Sequence, residues 1–166
     1  MGYYVRIDEH DFKIAKKDFK KAYEACIALN DRDDLKSGGG GAFTLPNGKE
    51  MKWGDPRPKG MSYHPMKWFS WMEANYPETC KNLKDILDAL GFETNYDNKG
   101  NIVGLDYDSK IGDEEYFLQA IAPFVKKGSF ITWVGEDDTY WKQIFNGKKM
   151  ITKTGRVVYE KVLDDE

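Results

Sequence analysis

From Phe130 onward the residues alternate in character, with Phe130, Thr132 and Val134 on one side and Ile131 and Trp133 on the other. A period of two belongs to an extended chain, whose successive side chains point to opposite faces, and a helix cannot satisfy it. Two turn signals divide the run, Gly135-Glu136-Asp137-Asp138 and Asn146-Gly147. The pattern predicts a β-meander: a strand from Phe130, a second over Tyr140 to Phe145, and two further short strands ending near Val162. The same alternation opens the chain, where Tyr3, Val5 and Ile7 oppose Tyr4, Arg6 and Asp8. A strand over 2–7 follows, with Phe12 to Ile14 as a short return strand.

Between these ends the period changes. Phe19, Tyr23, Cys26 and Ile27 fall on one face of a helix over 15–29, whose other face carries Lys16, Lys17, Lys20 and Lys21. Pro77 and Gly91 bracket a second helix over 78–90, and Asp113 to Gly128 read as a third through Phe117, Leu118, Ile121 and Val125. Phe92 to Tyr96 and Ile102 to Tyr107 flank a turn and form a hairpin, while the short aromatic run 67–72 reads as a strand. Residues 30–64 hold seven of the 16 glycines and three of the six prolines, which predicts a long loop there, anchored by Phe43, Leu45, Met51, Trp53 and Met61. The expected fold is a single α+β domain over 1–166. It has a mainly antiparallel sheet, three helices and a C-terminal β-meander.

Composition narrows the function classes. With 40% apolar and 14% aromatic residues the chain has the material for a core, and a net charge of −3 excludes both a strongly basic nucleic-acid wrapper and an acidic DNA mimic. There is no apolar run of about 18 residues and no basic-then-apolar leader, so a soluble, cytoplasmic protein is expected. Cys26 and Cys80 stand apart without a CxxC, which argues against a disulfide framework or a zinc knuckle.

Chemistry-bearing motifs are sparse. Gly38 to Gly41 lack the Gly-Lys-Ser/Thr of a phosphate loop, and Asp31, Asp33 and Asp34 do not meet the EF-hand spacing. His10 and His64 fall in predicted turns, read as surface positions, and no nucleophile elbow is present. No catalytic residue, metal ligand or cofactor is therefore assigned. Recognition is better represented: the carboxylates Glu136, Asp137 and Asp138 at one hairpin tip are followed by Tyr140 and Trp141, and Trp53 sits on the loop. Charged tips beside large aromatics present binding hot spots. Lys13, Lys16, Lys17, Lys20 and Lys21 form the one basic concentration, read as a solvated helix face with phosphate contact as the alternative. An enzyme with an acidic site assembled in space is a further alternative.

Three stretches carry a resemblance: MGYYV with ALNDRDDLKSGG, WFSWM with the following ALGFE, and IAPFVKKGSFITWVGEDDTYWKQIFNGKK. Together they resemble small accessory proteins of bacteriophages and bacterial mobile elements. The resemblance brings no active-site residues. It implies a non-enzymatic protein-binding module that inhibits a bacterial defence complex, as anti-CRISPR and other anti-defence proteins do. The implied partner is a bacterial protein or ribonucleoprotein complex rather than a membrane or free nucleic acid.

Overall fold

A computed structural model describes residues 2–162. The predicted alternation becomes β7 (Phe130–Gly135), β8 (Tyr140–Phe145) and β9 (Met150–Gly155). They join β1 (Tyr4–Asp11) and β6 (Asp108–Lys110) in a five-stranded antiparallel sheet of order β6-β1-β7-β8-β9. The meander is as read, except that the second of the two further strands does not form: residues 156–162 follow β9 without strand pairing and are exposed. Phe12–Ile14 is likewise no strand, since Ile14 only bridges Ile102 and Val125. A separate hairpin joins β4 (Glu93–Tyr96) to β5 (Ile102–Asp106).

Helix α1 (Phe19–Ala28) is preceded by a 3₁₀ turn over Lys16–Asp18. The second expected helix is two, α2 (Tyr76–Thr79) and α3 (Leu83–Leu90), because Cys80 turns extended and Asn82 starts a new helix by accepting from the Asp85 amide at 2.9 Å. Gly91, at φ 102°, closes α3 in the left-handed conformation, and the Phe92 amide reaches back to the Leu87 carbonyl at 3.0 Å. The third helix shortens to α4 (Glu114–Ile121), continuing as a 3₁₀ turn over Ala122–Phe124 that contains Pro123. Helices α1, α3 and α4 cover one face of the sheet, burying Val5, Ile131, Trp133 and Phe145 against Phe117, Leu118, Ile121 and Leu87. The other face, with Tyr4, Arg6, Glu9 and Ile151, is open to solvent.

Residues 30–64 are more structured than a loop. They contain 3₁₀ turns and a small hairpin of β2 (Ala42–Thr44) and β3 (Glu50–Lys52). Backbone bonds between Ser37 and Trp68, 2.8 and 3.1 Å, close the neck of this excursion. Its clasp is polar. Buried Lys36 donates to the Asn30 carbonyl and to Asp33, both at 2.7 Å, and Arg57 donates to Asp33 at 2.9 Å and to the Ser62 carbonyl at 3.0 Å. Burial pushes the Lys36 pKa down, with Asp33 opposing. Of the expected anchors only Met51 is buried; Phe43 and Trp53 are exposed. His64 is no surface residue: it is 1% exposed, with Nε2 against the Asp55 carbonyl at 2.8 Å and Nδ1 accepting from the Met66 amide at 3.1 Å. The buried histidine ties the Asp55 turn of the excursion to its own neck at Met66.

Candidate partner-binding surface

The run 67–72 is not a strand, and the difference creates the most distinctive surface feature. Phe69 and Met72 are buried, Phe69 edge-on to Phe117 with ring centroids 5.2 Å apart. Their anchoring leaves Trp71 between them no inward path. Its backbone adopts φ 73°, a conformation that costs a non-glycine residue about 1–3 kcal/mol. The start of α4 holds it there. Asp113 accepts from the Ser70 amide at 2.7 Å, and Glu114 accepts from Trp71 Nε1 at 3.1 Å. The Glu114 carboxylate, although buried, is fully engaged: it also accepts from the Tyr107 hydroxyl at 2.5 Å and from the Gly112 amide at 2.8 Å. Burial first, and then this bond, push the Tyr107 pKa up. A Cβ on residue 112 would occupy the place of the Trp71 indole nitrogen, so glycine is required for the approach.

The expected hairpin residues sit beside this device. Tyr3 donates to Asp137, and that bond holds the Asp137 carboxyl below the usual carboxylate range. The Glu136 carboxylate accepts from the Tyr4 amide at 3.3 Å, and Asp138 takes φ 59° at the turn. Trp141 is half-buried and stacks on Trp133, centroids 6.1 Å apart and planes 7° apart. It lines a shallow depression with Ile111, Glu115 and Leu118. Ile111 is in turn bound through its amide to the Tyr3 carbonyl at 2.8 Å. Trp71 and Ile111, 47 and 46% exposed, thus extend the predicted site on the Trp141 side, next to the acidic tip of Glu136, Asp137 and Asp138, whereas Tyr4, 49% exposed, and Tyr140 lie on the opposite, solvent-open face of the sheet. Sequence reading missed Trp71, Ile111 and Tyr3, whose neighbours are remote in the chain.

Trp53 lies elsewhere, under the Lys67 ammonium at 4.6 Å from its ring centre, on the excursion rather than the hairpin. The lysines Lys13, Lys16, Lys17, Lys20 and Lys21 are exposed around the start of α1, and none makes an ion pair among the described residues. Cys26 and Cys80 are buried free thiols, and burial pushes Cys26 up to about 12. Among the described residues no group of His, Cys, Asp or Glu is arranged to hold a metal ion, and no helix is long and apolar enough to cross a membrane. No protein-family model, curated protein or solved structure matches the chain.

Proposed function

We propose that the protein is a non-enzymatic binding module of phage or mobile-element type. It acts in the cytoplasm by occupying a functional surface of a bacterial protein or ribonucleoprotein complex, as an inhibitor of a defence system such as CRISPR. The observation that carries the binding part is Trp71, an exposed tryptophan held in a strained backbone by a buried carboxylate. Strain of this kind persists where the surroundings enforce it, and a rigid, half-exposed tryptophan ringed by apolar and charged side chains is the usual make-up of an interface hot spot. Ile111 and Trp141 supply the apolar surround, and Glu136, Asp137 and Asp138 a charged rim that favours a partner with basic residues. The anti-defence part is supported by the resemblance of the three stretches.

The test is affinity capture from bacterial lysate, with and without nuclease, comparing the wild-type protein with a Trp71→Ala, Ile111→Asp double variant. One stoichiometric complex that resists nuclease and is lost with the variant is expected, followed by loss of that complex's activity on adding the purified protein. Equal capture by the variant, or no specific partner, overturns the reading.

A further inference from the structure

At the opposite end of β7 and β8 from Trp71, two grooves flank the start of α1. The first, about 550 Å³, has an apolar floor of Ile14, Ile102, Phe124 and Val125 and a rim of Lys13, Lys126 and Lys127. The second, about 400 Å³, has Phe19, Tyr23 and Tyr96 in its walls and Lys20, Lys81 and Lys84 at its edge. Ile102 is common to both, so they are neighbours. Lys16 crosses beside them over Gly100, its amide bound to the Asn101 side chain at 2.9 Å. The Lys126 amide donates to the Lys13 carbonyl at 2.9 Å, which brings together lysines more than 100 positions apart.

The charge of this region is free to act on a ligand. Among the described residues Lys13, Lys16, Lys20, Lys126 and Lys127 make no ion pair; of the rim, Lys84 pairs with Asp88 and Lys81 donates to the Glu78 carbonyl at 2.5 Å. Of the two carboxylates in the first groove, Asp97 is occupied by its own turn, accepting from Asn101 and from the Lys99 amide. Its charge and that of Asp18 both oppose an anionic ligand there, against the three lysines of the rim. Tyr96 is 41% exposed and lies edge-on to Phe19, centroids 6.5 Å apart.

We infer that these twin grooves bind single-stranded nucleic acid, the lysines holding phosphates while unstacked bases enter the apolar floors against Tyr96 and Phe124. Lysines that track a backbone, interleaved with aromatic faces for bases, are the working parts of sequence-tolerant single-strand binders. Two concave pockets separated by a chain segment suit splayed bases, and they offer no projecting helix or ribbon for a duplex groove. This site goes beyond the Trp71 surface. Together the two would let one molecule hold the protein and the exposed strand of a ribonucleoprotein complex.

The test is fluorescence anisotropy of the purified protein with labelled oligothymidylate and a single-stranded RNA of mixed sequence, across a salt series, with duplex DNA and anionic phospholipid vesicles as competitors. Binding at low salt that falls steeply as salt rises is expected, since each neutralised phosphate adds about 0.7 to the log–log slope. Lys126→Glu with Lys127→Glu lowers affinity at least about tenfold and flattens that slope. Tyr96→Ala lowers affinity by about five- to 150-fold with the slope unchanged, as for loss of one stacked base. Trp71→Ala leaves oligonucleotide binding intact, which separates this site from the partner surface. Absence of binding at low salt, preference for duplex or vesicles, or full binding by the lysine variant with its circular dichroism unchanged each overturns the proposal.

Discussion

Glu114 is a carboxylate at the first turn of α4 whose work is done on other segments. Its two oxygens accept hydrogen bonds from an indole, a phenol and a backbone amide, so a buried carboxylate is satisfied by donors from three places in the chain. Removing the acceptor would leave those donors facing an apolar void, at a cost of about 2–3 kcal/mol for a hydrogen-bonded charge of this kind. Glu114→Ala is therefore expected to lower unfolding free energy by about that amount in urea titration. It should also free Trp71, seen as a red shift of tryptophan emission in the still-folded protein. An unchanged emission spectrum would mean that Phe69 and Met72 alone fix the indole. The two thiols make the opposite point: both are buried with raised pKa values, and they behave as packing rather than chemistry.

Among the elements, the 30–64 excursion depends most on charge. Burial would raise the Asp33 pKa, but the hydrogen bonds from Arg57 and Lys36, with their charges, more than offset that and hold it below the ordinary value. A carboxyl depressed in the folded state adds stability that is fully present above its unfolded value of about 3.9, and this is lost as pH falls through the folded value. The clasp is thus expected to open in acid below about pH 4 and to be indifferent to pH around neutrality. Hydrogen exchange of the β2–β3 amides across that range measures it, and Asp33→Asn should exchange fast at every pH. The strands of the meander were legible because one side of each repeats every second residue, a local property. The polar clasp was not, since nothing in the local sequence places Asp33 between Lys36 and Arg57. For the same reason the aromatic run 67–72 was misread as a strand: its conformation is set by Asp113 and Glu114, some 43 positions away. The hairpin half of the proposed surface can be named from the local run Glu136 to Trp141, whereas Trp71 and Ile111 adjoin it only through tertiary contacts. The break in the second helix did leave a local trace, because Asn82 followed by Asp85 is a capping arrangement.

Across the whole molecule, a net charge of −3 conceals a separation. The antiparallel course of β7, β8 and β9 puts the carboxylates of Glu136 to Asp138 at one end of the sheet and Lys126, Lys127, Lys148 and Lys149 at the other. Such a molecule orients in the field of a partner that has both basic and anionic regions, which raises the rate of productive encounter more than the strength of any one contact. The edge strand β9 delivers the chain back to the acidic, aromatic end, where Gly155 pairs with Tyr140. From there Val157, Val158, Tyr159 and Val162 run on at 53, 65, 92 and 82% exposure. Four large apolar residues left in water add nothing to the fold's own stability, and under the binding function proposed above they are an extension of the partner surface from the Tyr140 end of the sheet. Truncation after Gly155 is accordingly expected to leave the melting temperature within about 2 °C of the full chain while weakening partner capture. A drop of more than about 5 °C would show instead that the segment packs on the body in solution, and would remove it from the binding surface.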